Sequence, residues 1–384
     1  MIFIERNSLL VFLGAFFFYV LMAFGGFFSF LSQYVFFSLS VLLIFFASVF
    51  FYLLKSRGSE FGFVFYVLLV FSVFLLIGAI RSYEPVYALE KFDAFIVVTL
   101  IASILSGKLI SNYGQYRFWH CYLLVSMAIL AMTIVFKLKF GLMDRDVRFF
   151  LNGPIVFGWL MGFAALVSYV NFLRRQKLHL LLATALFSLA VVWTASKGPL
   201  VALAFVFLYF SLAHRIGRRY LLLGGFLAIG VAVVFFDVLW AAFLDSRFSG
   251  VYRLAQADVT QSDWGSIGIR QAMLFDSLAK ILEFPLLGIG LGNYQYDVLF
   301  YPHNEHLEVF LELGVFAGFF HVLVVMWMLV KSNVEYRGYI LFFVLCTSFS
   351  GDIGYLRFVY LFGFLGVILR HPLRYKKRKM LNHA

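Results

Sequence analysis

The stretch PIVFGWLMGFAALVSYVNFLRRQKLHLLLATALFSLAVVWTASKGPLVALAFVFLYFSLAHRIGRR, residues 154–219, decides the fold. Three apolar runs follow one another, parted by the basic turn Arg174-Arg175-Gln176-Lys177 and then by Thr194-Ala-Ser-Lys197-Gly-Pro199. Each run is close to the ~20 residues a helix needs to cross a hydrocarbon core about 30 Å thick. The first and third runs both end in clustered Arg and Lys, so those ends share one face, and the excess of positive charge makes that face cytoplasmic.

The same pattern extends in both directions. The 384 residues are 63% hydrophobic and 13% charged, with a mean hydropathy of +0.95, too apolar for a globule dissolved in water. Apolar runs between polar breaks predict helices near 8–24, 32–54, 61–80, 94–110, 118–136, 154–173, 178–195, 199–213, 220–240, 305–330, 338–350 and 356–370. The fold class expected is all-α: a polytopic membrane protein of about 12 transmembrane helices, residues 1–384 forming one integral membrane domain. The first run, Leu9 to Phe24, lacks a small-residue cleavage site and reads as a retained helix. Both termini are expected on the cytoplasmic side, with membrane lipids as the solvent of the chain. The net charge of +12 suits anionic head groups, and with no soluble basic module present, nucleic acid is not an expected partner. Cys121 and Cys346 both fall inside predicted helices, which argues against a disulfide framework or a thiolate metal site.

On this topology 19 of the 31 Lys and Arg residues are cytoplasmic, and the remaining 12 face the other side. Lys91, Lys137, Lys139, Arg247 and Lys280 read as ordinary solvated loop charges. Arg81, Arg148, Lys197, Arg270 and Arg357 differ, because each stands at or beside a helix end, where a cation must snorkel, pair or face a polar cavity.

The longest segment outside the predicted helices, residues 240–304, is too long for a simple connector and reads as a large periplasmic loop carrying functional residues. Ile267 to Phe284 has apolar residues at helical spacing and predicts an amphipathic helix on the membrane surface. Pro285-Leu-Leu-Gly-Ile-Gly-Leu-Gly292 follows; its glycines lack the strand context and lysine of a phosphate loop and predict close backbone packing. Then comes Tyr301-Pro-His-Asn-Glu-His-Leu-Glu-Val-Phe-Leu-Glu-Leu-Gly314, the most polar approach to any predicted helix. Asn304 suits an N-cap, and Glu305 and Glu308 suit the positive end of the helix dipole. Capping does not require His303 or His306. An imidazole changes charge near neutral pH, which makes His303 the candidate general base. The His-x-x-His spacing does not set two imidazoles on one helical face, so no metal is expected. Downstream, Asp352 in Ser350-Gly-Asp-Ile-Gly-Tyr-Leu-Arg357 either orients an acceptor hydroxyl or pairs with Arg357.

His303-Asn304, nine residues, then Gly314 resembles the signature of the O-antigen ligase and O-antigen polymerase superfamily. Thr194-Ala-Ser-Lys-Gly-Pro199 is similar to the family's Thr/Ser-Arg-Gly/Ala turn, and Ser266-Ile-Gly-Ile-Arg-Gln-Ala-Met273 to its loop arginine segment. The resemblance spans roughly residues 140–365, with two departures. Lys197 stands where the family has arginine, which keeps the charge and loses the bidentate fork. Ala317 stands where the family has glycine, with Gly318 one place later. The resemblance implies a metal-independent, inverting glycosyltransferase of the inner membrane, without cofactor, active at the periplasmic face in lipopolysaccharide synthesis. Its donor would be an undecaprenyl-diphosphate-linked glycan. Its acceptor would be lipid A-core for a ligase or a second glycan repeat for a polymerase. His303 would be the base, Arg270 and Lys197 would hold the diphosphate, and Arg148, Arg81, Asn304, Asp352 and Arg357 are candidate substrate contacts. A lipid transporter is the reading from another class, disfavoured because the charges gather at one face.

Overall fold

The computed structural model describes residues 6–23, 60–142, 149, 153–220, 266–298 and 302–369. The described residues are 87% helical and contain no strand. In chain order the helices are α1 (Arg6–Ala23), α2 (Glu60–Ile80), α3 (Pro85–Phe92), α4 (Val98–Tyr113), α5 (Gln115–Phe140), α6 (Pro154–Arg175), α7 (Leu178–Trp193) and α8 (Lys197–Ala213). After these come α9 (Ser266–Glu283), α10 (Asn293–Val298), α11 (Glu305–Leu313), α12 (Val315–Lys331), α13 (Val334–Phe349) and α14 (Leu356–Ile368). A π-helical turn, Asp93–Val97, joins α3 to α4. The continuous segments Pro85–Tyr113, Gln115–Phe140 and Pro154–Arg175 are long and apolar enough to cross a membrane, and shorter apolar helices pack around them.

The core lies where α6 and α14 pass through the bundle. Every residue of α14 from Leu356 to Val367 is buried, and α6 is buried from Val156 to Leu173. Aromatic rings fill the space between them: Phe163 lies 4.5 Å from Phe362, and Phe362 stacks on Phe343 at 5.0 Å. Helices in lipid gain little from hydrophobic exclusion and rely on close packing at small residues. Accordingly Gly363 lies against Met328, Gly338 against Phe210, and Gly162 against Phe342.

Contacts between turns define two ends of the bundle. At one end Gln115 Nε2 donates to Glu335 Oε2 at 2.8 Å, Arg174 pairs with the same carboxylate, and Tyr209 OH donates to Val334 O. At the other, Arg81 reaches Leu287, Arg357 reaches Met22, and Trp193 Nε1 donates to Leu142 O at 2.9 Å. The basic turn at Arg174 and the turn before Lys197 thus lie at opposite ends, as expected for an antiparallel hairpin of membrane helices.

Ten of the twelve expected helices fall within the described residues. The expected helices 32–54 and 220–240 lie outside them, apart from Tyr220, as do residues 240–265 and 299–301 of the long loop. Two expectations change. The helix expected from 94 begins at Pro85, a favoured first helical residue. The helix expected over 305–330 is broken at Gly314, whose φ of 86° is left-handed, so the polar segment α11 is separate from the apolar α12. The amphipathic helix expected over 267–284 is present as α9.

Candidate functional site

α11 organises the end that carries Arg81 and Leu287. Asn304 starts it as the expected N-cap, its Oδ1 accepting from Leu307 N at 3.1 Å. His303, just outside, has φ +58°, a left-handed conformation rare for a residue with a side chain and characteristic of functional turns. It packs near α9, where Arg270 is partly buried. Burial first, and the nearby Arg270 guanidinium second, push the His303 imidazole down from its ordinary value to about 4. The candidate base and the candidate loop arginine are therefore brought together by the fold.

The glycine turn builds the wall beside them. Pro285 O accepts from Val315 N at 2.8 Å, Ile289 N donates to Leu311 O at 2.9 Å, and Gly290 N donates to Glu312 O at 3.1 Å. The last two satisfy carbonyls that the end of α11 leaves open, and the first satisfies an N–H at the start of α12. Gly288 has φ +65°, and a Cβ there would stand 2.5 Å from the Glu312 carbonyl carbon, which is why a glycine is needed. Arg81 Nη1 donates to Leu287 O at 2.7 Å and the Arg81 carbonyl accepts from Asn293 Nδ2 at 3.0 Å. Arg81 therefore braces this turn.

Beneath the mouth is a buried ionic group that the sequence reading missed. Lys91 was expected to be solvated; it is 2% exposed, with Nζ 2.5 Å from Glu308 Oε1 and 3.0 Å from Glu312 Oε2. Glu312 Oε2 also accepts from Gly292 N at 2.9 Å, tying α3, α11 and the glycine turn into one unit. A partial signal existed. Glu305, Glu308 and Glu312 lie at i, i+3 and i+7, an acidic stripe that a helix in lipid has to turn toward protein. Lys137 is likewise buried, over the Phe149 ring at 4.7 Å, against the expectation of a solvated charge. His306 enters another missed chain: its Nδ1 is 2.8 Å from His321 Nε2, and His321 Nδ1 is 2.9 Å from Tyr360 OH.

The 350–357 segment closes the far side. Asp352 does not pair with Arg357: its side chain caps a 3-10 turn, accepting from Gly354 N at 2.9 Å. Arg357 is buried, with its terminal nitrogens donating to Gly354 O at 2.8 Å and Met22 O at 3.2 Å and its guanidinium over Tyr355. Both residues remain electrostatic neighbours of Glu305, which Gly351 touches. Glu305 is fully buried, and neither carboxylate oxygen has a hydrogen-bond partner among the described residues.

Lys197 opens α8 after a turn in which Ala195 has φ +49° and Thr194 Oγ1 accepts from Ser196 N at 3.2 Å. The next residue, Gly198, lies against Phe349, one residue before Ser350. The start of α8 thus packs beside Phe349 at Gly198, and Arg270 is an electrostatic neighbour of His303, with Gly351 close to Glu305. Arg148 lies outside the described residues.

Residues 182–322 match the family described as O-Antigen ligase, a stretch that includes Lys197, Arg270, His303 and Asn304. Over these residues the chain is similar to the O-antigen ligase family. No curated protein matches the chain. The matched stretch runs from within α7 into α12, so it holds the glycine turn and α11, whereas Lys91, Asp352 and Arg357 contribute from outside it. The match supports O-antigen ligase or polymerase chemistry in general, glycosyltransferase-like and directed at lipid-linked glycans.

Proposed function

We propose that this protein is an inverting glycosyltransferase of the bacterial inner membrane that moves an O-antigen glycan from undecaprenyl diphosphate to lipid A-core. The observation that carries the reading is the left-handed His303 at the entry to α11 lying within electrostatic reach of Arg270 at the polar end of the bundle, both inside the matched stretch.

In the step proposed, the acceptor hydroxyl oxygen attacks the anomeric carbon from the face opposite the diphosphate. The carbon–oxygen bond to the diphosphate breaks, its electron pair stays on the departing phosphate oxygen, and His303 receives the hydroxyl proton. Arg270 and Lys197 hold the charge that develops on the leaving group. Lys197 contributes as a point charge at the start of α8, where the helix dipole adds to it. The depressed basicity of His303 fits this order of events. A bound diphosphate offsets the Arg270 charge, so the imidazole becomes a better base once the donor is in place. The site is assigned to the periplasmic face because the opposite end carries the dense Arg and Lys turns. Arg81, Asn304, Asp352 and Arg357 act in this scheme by holding the walls of the mouth, and Arg148 remains a candidate donor contact.

Lipopolysaccharide banding of a deletion strain tests the proposal. Loss of all O-antigen bands on core is the expected result. A core bearing a single repeat would instead identify a polymerase, and unchanged bands would reject both. Expression of His303→Ala at normal level should fail to restore banding, while a variant that restores it fully would remove His303 as the base.

A further inference from the structure

The end of the bundle opposite His303 contains a groove between α1 and α5 that the proposed chemistry does not use. It encloses about 480 Å³ and is walled by Leu9, Phe12 and Leu124, with Arg117 and His120 on its rim. These three apolar side chains are 46%, 37% and 50% exposed, so the groove is open toward the surrounding lipid. Basic side chains gather at its rim. His120 stacks on Tyr116 at 5.9 Å, the Arg175 guanidinium lies 3.3 Å from the centre of that same ring, and His179 is an electrostatic neighbour of His120.

Among the described residues no carboxylate is paired with this group. Glu335, the acid at this end, is engaged by Arg174 and Gln115. Among the described residues, Arg117, His120, Arg175 and His179 form no ion pair. An apolar cleft alone would accept any acyl chain. One rimmed by Arg117 and Arg175, neither in an ion pair among the described residues, favours a chain that carries an anionic head. We propose that the α1–α5 groove is a binding site for an anionic diacyl phospholipid, its phosphate on Arg117 and His120 and an acyl chain against Leu9, Phe12 and Leu124. A polyprenyl diphosphate is not the occupant, because its reactive head is needed at the other end of the molecule.

Native mass spectrometry of the full-length protein, exchanged into micelles containing phosphatidylglycerol or phosphatidylcholine, tests this. Retained adducts are expected with phosphatidylglycerol at several-fold higher occupancy than with phosphatidylcholine, and the preference should vanish in the Arg117→Ala, His120→Ala double variant. Cys121 lines the groove and is partly exposed, whereas Cys346 is buried, so labelling by N-ethylmaleimide reports on the groove in otherwise unaltered protein. Phosphatidylglycerol should slow that labelling several-fold relative to phosphatidylcholine. Equal adducts and equal labelling with both lipids would overturn the proposal, as would a preference that survives in a monodisperse double variant. Retention of undecaprenyl phosphate with no retention of phosphatidylglycerol would also overturn it.

Discussion

His303 is shaped by two forces of the same sign. Burial and the Arg270 cation both disfavour the imidazolium, and together they set the value near 4. The unfolded chain titrates near 6.5. As pH falls from about 6.5 to about 4, the unfolded chain binds a proton that the folded one refuses, so this residue's contribution lowers stability across that window and is constant below it. Activity should follow the neutral base. A plot of kcat/KM against pH is expected to be flat from neutrality to about pH 5 and to fall as pH drops through about 4. Arg270→Gln should move that acid limb upward without bringing it to 6.5, because burial is the larger cause and remains. An acid limb at the same pH in Arg270→Gln would show that the two side chains do not interact. His303 was legible in sequence because its chemistry is local: a proline, a histidine and an N-cap in succession. Its left-handed backbone was not, since nothing in the side chains of Pro302 or Asn304 forces φ at their neighbour to be positive.

At the scale of elements, α11 is fixed from three directions: the glycine turn on its carbonyls, Lys91 on its acidic stripe, and the 350–352 segment on Glu305. A buried ion group is strongly destabilising to break, by about 3–5 kcal/mol, because the partners are left as uncompensated buried charges. Lys91→Met should therefore lower the unfolding temperature of the detergent-solubilised protein markedly and abolish transfer. Adding Glu308→Gln and Glu312→Gln to Lys91→Met should recover part of the stability. A melting temperature unchanged in Lys91→Met would mean that the triad does not hold α11 in place. The apolar runs made α6 and α12 legible from hydropathy alone. The break at Gly314 was less so, because one glycine inside an apolar pattern is tolerated in a helix, and the turn shows only in its left-handed backbone and in the hydrogen bond from Val315 N to Pro285 O. The role of Lys91 was hidden for a related reason: periodicity places a residue on a face of its helix and says nothing of an acid 217 residues away.

Across the whole molecule, the two ends differ in chemistry. One has Arg174, Arg175 and Lys177 with little acid to offset them; the other has a tightly paired set in which cations and carboxylates are buried together. The orientation that follows from the positive-inside rule is checked by single cysteines in a background without Cys121 and Cys346. A cysteine at Ser82 should react with an impermeant maleimide added to intact cells opened only at the outer membrane, and one at Gln176 should react only after lysis. The reverse pattern would invert the proposed topology and move the site to the cytoplasm. The alternation of basic and weakly charged turns made this arrangement readable in the sequence, whereas the contact of α14 with Met22 was not, because it joins positions 335 residues apart.

That distance in sequence bears on biogenesis. Lys91 leaves the ribosome and enters the membrane long before Glu308 and Glu312 exist, so the nascent segment carries a lone ammonium into the bilayer edge, at an insertion penalty of about 2.5–3.5 kcal/mol if it reaches the centre. The debt is relieved only when the C-terminal third has been synthesised and α11 docks. The mouth of the proposed site is therefore among the last features to form, and a chain interrupted before α11 would leave in the membrane a bundle that has helices but no site.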